Sequence, residues 1–176
     1  MLSTARNKLD SWTLIRVFGG LYLASQVAIG VIVQPLGSDM LAVQTTLSAE
    51  HVREIFASWQ SAGLLPAYAR HYWFDMIHPL WYGTFLAAAL AKGFNANRVS
   101  TRFDALLILP FVAAGCDLVE NLVHLSFLAD RANITDARVL LGNGAALLKW
   151  LLSLSCLAAV IVLTARARRR TDAGMA

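Results

Sequence analysis

The sequence predicts an all-α integral membrane protein: one membrane domain over residues 1–176, a four-helix bundle with both termini cytoplasmic and an amphipathic helix in its first outer loop. Three observations predict it. Hydrophobic residues make up 57% of the 176 and charged residues only 15%, with a mean hydropathy of +0.56, whereas soluble domains devote about a quarter of their residues to charge. Four apolar stretches, at about 13–34, 72–91, 105–128 and 139–165, are long enough to cross roughly 30 Å of hydrocarbon as helices. Lys and Arg gather at alternate ends of those stretches. The net charge of +4 and pI near 9.4 therefore set membrane orientation, and no basic patch with interleaved aromatics points to nucleic acid.

Residues 1–12 are polar, carry Arg6 and Lys8 and lack a small-residue cleavage site, so they are expected to stay attached as the cytoplasmic start of the first span. That span, 13–34, ends at Pro35. Its notable polar groups are Tyr22, Ser25 and Gln26, and Gln26 either bonds a neighbouring helix or lines a site. The outer loop, 36–71, is polar and broken by Gly37, Gly63 and Pro66. Within it Ser48 can cap a helix whose Val52, Ile55, Phe56 and Trp59 recur at i, i+3, i+4 and i+7, opposite Glu50, Arg53, Glu54 and Gln60. Such a helix is expected to lie at the interface and cover the loop, a lid over the bundle being the functional alternative.

The second span, 72–91, opens on the aromatic belt residues Tyr72 and Trp73 and ends at Lys92. It places Asp75, His78 and Tyr82 at i, i+3 and i+7, on one face, and Pro79 bends the helix or frees a backbone carbonyl there. The third span, 105–128, follows Lys92, Arg98 and Arg102, and Pro110 is expected to kink it. In the fourth, 139–165, the small residues from Gly142 to Ala146 allow close helix approach, and the run Arg166 to Arg170 stops translocation. Arg53, Arg70, Arg131 and Arg138 are the sparse basic residues of the other side, which makes it the outer one. Cys116 and Cys156 fall in apolar segments and read as buried small hydrophobes.

The chemistry concentrates in the third span. Asp117, Glu120, Asn121 and His124 fall at i, i+3, i+4 and i+7, one stripe of a helix otherwise apolar enough for lipid. At about 1.5 Å of rise per residue Lys149 lies roughly 15 Å deep, level with Asp117. Asp75, His78, Tyr82, Gln26 and Asn143 join them in one polar pocket in the outer half of the bundle. Three carboxyl groups then face one permanent cation, and each uncompensated carboxylate needs a proton, an imidazolium or a metal beside it.

The protonated solution gives acid–base chemistry on a lipid, isoprenoid or sterol-like molecule, a double-bond isomerisation or cyclisation that needs no cofactor. Glu120 and Asp117 are then acid or base together with Asp75, His78 and His124 are proton relays, and Asn121 and Tyr82 are orienting donors. Gln26, Tyr82, Asn143 and Lys149 are the expected substrate contacts. The metal solution uses the Asp75-x-x-His78 spacing with Glu120 and His124 to hold iron, zinc or manganese, although dinuclear helical sites draw carboxylates from all four helices and the first and fourth spans offer none. Haem between His78 and His124 is a variant of it. A third reading is a non-catalytic ligand-binding or accessory subunit of a membrane complex. The expected partners are the lipid bilayer and a hydrophobic small molecule, the expected location is a bacterial inner membrane, and the oligomeric state is left open.

Four spans, cytoplasmic ends, a long first outer loop, and an acidic residue early in the second span followed by a proline, here Asp75 and Pro79, resemble the EXPERA group, which includes sterol isomerases and the sigma-2 receptor. The first-span run LYLASQVAIGVIV is similar to that group's opening helix. The resemblance implies a pocket for sterol-like or cationic amphiphiles whose carboxylates stabilise positive charge, with Asp75 as the residue that carries over. The first span here lacks the group's acidic residue, and DLVENLVH is not its motif.

Overall fold

The computed structural model describes residues 2–173, with the side chains of 3–170; the ends of the domain predicted over 1–176 lie outside the described residues. Among the described residues the chain is all helical, with eight α-helices: α1 (Leu2–Leu9), α2 (Trp12–Val33), α3 (Asp39–Thr45), α4 (Ala49–Ser61), α5 (Leu65–Asp75), α6 (His78–Ala96), α7 (Leu109–Ala129) and α8 (Asp136–Ala173). Three stretches, Trp12–Leu36, Thr101–Ala129 and Asp136–Arg170, are long and apolar enough to cross a membrane.

The second predicted span differs. Residues 72–91 are not one helix: α5 ends at Asp75 and α6 begins at His78. Pro79 is the cause, because it has no N–H to give to the carbonyl four residues back and its ring crowds that carbonyl. That carbonyl belongs to Asp75, and Asn121 Nδ2 donates to it at 3.0 Å. Helix α6 is the central one, packed against α2, α7 and α8, with Gly83, Ala87, Ala88, Ala91 and Gly93 buried along it. Small residues let its neighbours approach; a Cβ on Gly83 would stand 3.3 Å from the Pro110 carbonyl oxygen.

Pro110 falls where the candidate span Thr101–Ala129 changes from 3₁₀ to α-helix, not in the middle of a continuous α-helix. It lies in the first turn of α7, where a missing N–H is harmless, after a 3₁₀ segment over Thr101–Ile108. At this end Arg6 donates to Asp104 and to the Val99 carbonyl, both at 2.9 Å, and Asp10 accepts from Lys92 at 2.9 Å and Asn95 at 2.6 Å, which fixes α1 against the base of α6 and α7. Burial raises the Asp10 carboxyl, but the bonds from Asn95 and Lys92 outweigh it and hold the group below the usual range.

The stretch expected as the first outer loop holds three helices, α3, α4 and α5, rather than one. Ser48 caps α4 as expected, accepting from the His51 N–H at 3.2 Å, and Val52, Ile55, Phe56 and Trp59 are buried in one cluster with Val123, Phe127, Ile134 and Val139. Hydrophobic burial therefore seats α4 on the ends of α7 and α8 that meet at their connection. Arg53 donates to the Ile134 carbonyl at 2.7 Å and Asp136 accepts from the Ala49 N–H at 3.2 Å, fastening the same joint. Helix α3 packs on α8.

The small-residue start of α8 makes its own prediction. A Cβ on Gly142 would lie 2.8 Å from Val123 Cγ1, whereas one on Gly144 would meet nothing within 4 Å. A β-branched side chain on a helix has little rotamer freedom with which to yield. Gly142→Ala is expected to lower stability by about 1–3 kcal/mol. Gly144→Ala should instead raise it slightly, by up to about 1 kcal/mol. Thermal unfolding of the two variants in the same detergent checks the contrast.

Candidate functional site

A cavity of about 260 Å³ opens between α2 and α8 and ends on α6 and α7. Asp75, His78, Tyr82, Asp117 and Lys149 line its polar end, Gln26 lines it from an exposed position on α2, and Ile29, Val33, Phe85, Leu86 and Leu157 supply apolar wall. The protein thus gathers six of the residues singled out from sequence around one space.

Lys149 Nζ donates to Asp117 Oδ1 at 2.9 Å and to Glu120 Oε2 at 2.5 Å, with all three side chains less than a tenth exposed. The pairing arises because Asp117 and Glu120 are one helical turn apart on α7 and point at the same place on α8. One ammonium thus serves two carboxylates, leaving Asp75 as a third buried carboxyl. Glu120 and Asn121 do not line the cavity: the first stands behind Lys149, and the second holds the Asp75 backbone.

His78 Nδ1 lies 2.7 Å from Ser25 Oγ, and that hydroxyl also reaches the Leu21 and Tyr22 carbonyls, each at 2.9 Å. With the Ser25 proton on a carbonyl, Nδ1 donates to Oγ and Nε2 is left to accept; with the Ser25 proton on Nδ1, the roles reverse. Tyr22, Tyr82 and Phe85 surround this corner, with ring centroids of Tyr22 and Tyr82 at 5.3 and 5.4 Å from that of His78. Among the described residues the Tyr82 hydroxyl is buried facing Asp117 and Ser153, the side chains it can pair with, in contacts short of full hydrogen-bond geometry.

His124 and Asn143 belong to a separate network outside the cavity. Tyr72 donates to the Tyr68 hydroxyl at 2.9 Å, Tyr68 donates to His124 Nδ1 at 2.7 Å, and His124 Nε2 donates to Asn143 Oδ1 at 2.8 Å. Asn143 Nδ2 in turn reaches the Val43 and Thr46 carbonyls at 2.8 and 2.5 Å. Every polar atom in that chain has a partner, so it fixes α3 and α5 on α7 and α8. Both nitrogens of His124 are engaged, and Glu120 is held by Lys149. Among the described residues no three His, Cys, Asp or Glu groups come together as metal ligands.

Sequence reasoning passed over Tyr68, His71 and Tyr72, which it had placed in or beside the outer loop, and gave Ser25 no site role. The signal was present: Tyr68, His71, Tyr72 and Asp75 fall at i, i+3, i+4 and i+7, the spacing of the Asp117 stripe. His71 is fully buried, its Nδ1 donating to the Tyr68 carbonyl and its Nε2 standing 3.8 Å from Asp75 Oδ2.

Burial pushes the His71 imidazole down to about 4, helped by the charges of His124 and Lys149 and opposed by the Tyr68 bond. The folded protein holds His71 neutral while the unfolded chain protonates near 6.5, so stability falls as pH drops from 6.5 toward about 4. His71→Gln should flatten the loss in that window. The check is the unfolding midpoint of both proteins across it; parallel curves would show that His71 does not contribute.

Fold and site together define an all-helical protein with three helices fit to span a membrane and a polar-ended cavity between them. Comparison with protein-family models, curated proteins and solved structures finds no match. The likeness to the EXPERA group accordingly rests on the arrangement of spans and on Asp75.

Proposed function

We propose that this chain is a four-span protein of a bacterial inner membrane, with α2, α6, α7 and α8 as its spans and both ends cytoplasmic, that moves protons on a hydrophobic lipid, isoprenoid or sterol-like molecule. The observation that carries the reading is that two carboxyl groups, Asp75 and Asp117, line one end of the cavity beside a single ammonium, Lys149, which a third carboxyl, Glu120, already engages from outside it. Two negative charges in excess are untenable in a low-dielectric space, so a carboxyl there holds a proton available to a substrate.

Asp75 and Asp117 touch the cavity and are the acid and base. One gives its proton to an alkene carbon, the neighbouring C–H loses a proton to the other or to His78, and the double bond moves with no change in oxidation state. Glu120 and Asn121 are positioning residues, the first through Lys149 and the second through the Asp75 backbone. His124 supports the fold of the outer loop on the bundle.

The test is solvent deuterium. Protein incubated in D₂O with lipid extract of the host membrane is expected to return a bound lipid carrying deuterium, identified by mass spectrometry, and Asp75→Asn should abolish the incorporation. A bound lipid that never takes up deuterium would overturn catalysis and leave a ligand-binding subunit.

A further inference from the structure

We infer that the cavity takes a membrane amphiphile with one small uncharged oxygen head, an alcohol or ketone, which enters sideways from the hydrocarbon between α2 and α8. This rests on the reading of the cavity as a lipid site and names its ligand class. Three observations carry it.

The first is the doorway. Helices α2 and α8 each pack on α6 but do not form a packed pair with one another, and the space between them is the cavity. Ile29 and Val33 on one helix and Leu154 and Leu157 on the other line it, a surface suited to a hydrocarbon tail. Gly30 lines the same mouth, and a Cβ there would meet nothing within 4 Å, so the opening is not closed by side chains at that point.

The second is a pair of incompletely bonded hydroxyls. Tyr82 is only 5% exposed, and among the described residues its hydroxyl and the buried Ser153 Oγ face each other and Asp117 without a well-formed hydrogen bond, while both residues line the cavity. Buried hydroxyls are normally satisfied. Each can donate or accept, which suits an uncharged oxygen that itself does either.

The third is charge. Lys149 already divides its charge between Asp117 and Glu120, and Asp75 adds a further carboxyl, so a phosphate or carboxylate head would be repelled from the polar end. A cationic head has only protons to give, so it can accept from neither hydroxyl although the carboxyls would attract it, and hexadecylamine as competitor decides against it or for it. The cavity of about 260 Å³ has room for the head and the first carbons, and the rest of the tail lies in the cleft.

The experiment uses the full chain in phosphatidylcholine nanodiscs with a diazirine-bearing hexadecanol as photoprobe. Labelled peptides are expected from α2 and α8 around Gly30 and Leu154, with hexadecanol competing and hexadecyl phosphate and hexadecylamine failing to compete. Gly30→Trp should remove labelling, whereas Gly20→Trp, on the same helix at a site away from the cavity where a Cβ also meets nothing within 4 Å, should leave it intact. Tyr82→Phe with Ser153→Ala should weaken it about tenfold. Full labelling of Gly30→Trp, or competition by the phosphate or the amine equal to that of the alcohol, overturns the inference. Labelling as expected in a protein that shows no deuterium uptake supports the ligand class while overturning catalysis; deuterium uptake that Gly30→Trp does not slow overturns the doorway alone.

Discussion

Lys149→Met is expected to destabilise the folded protein by about 3–5 kcal/mol, the loss found when one member of a buried ion pair is removed. Its ammonium donates to Asp117 and Glu120 at 2.9 and 2.5 Å, and the three side chains are 9%, 4% and 1% exposed, so water cannot take its place. Without it two carboxylates one turn apart on α7 face each other in low dielectric. The penalty belongs to the unpaired charges rather than to the lost bonds. Adding Asp117→Asn and Glu120→Gln to Lys149→Met should therefore restore most of the stability, as should acid, which neutralises the two carboxyls in the single variant. Unfolding in detergent at neutral and acidic pH reads both effects. A Lys149→Met protein as stable as the parent at neutral pH would mean that the three groups do not form a buried triad in solution.

This triad also shows what a sequence can and cannot convey. Periodicity placed Asp117, Glu120, Asn121 and His124 on one helix face, and depth counted along each span brought Lys149 level with Asp117; both follow from helix geometry alone. Whether Lys149 meets one carboxylate or two depends on the rotation of α8 against α7, set by Gly142 against Val123, a contact between distant residues. The same limit explains His124. Its stripe pointed to the pocket, but Tyr68 and Asn143 take both its nitrogens, and Tyr68 comes from α5, whose return onto the bundle is decided by the burial of Phe56 and Trp59 rather than by local pattern.

The second span shows the opposite case. Pro79 announced a freed carbonyl in the sequence, and the structure identifies it as that of Asp75 and its new partner as Asn121. What could not be read was that the helix would stop altogether between Asp75 and His78, because a proline early in a helix is compatible either with a bend or with a fresh start. Asp75 at the end of α5 and His78 at the start of α6 both line the cavity, so the site draws on two elements where the sequence offered one. His71, one turn before Asp75, stands 3.8 Å from it.

Asp117→Asn is expected to lower proton transfer to the bound lipid by about a hundredfold to ten-thousandfold, the range over which a positioned acid or base acts. Asn is nearly isosteric and can still accept from Lys149, so binding and fold should change little while the exchangeable proton is lost. Glu120→Gln removes a carboxylate from the same ammonium but from the side away from the cavity, so its effect on turnover should be the smaller and should act through Lys149. The comparison is informative because the two residues share a partner and differ in access. Deuterium incorporated per bound lipid, measured on protein with equal lipid occupancy, separates chemistry from binding. If Glu120→Gln proves the deeper loss, the reacting carbon lies on the Glu120 side of Lys149, and the acid–base assignment passes from Asp117 to Glu120.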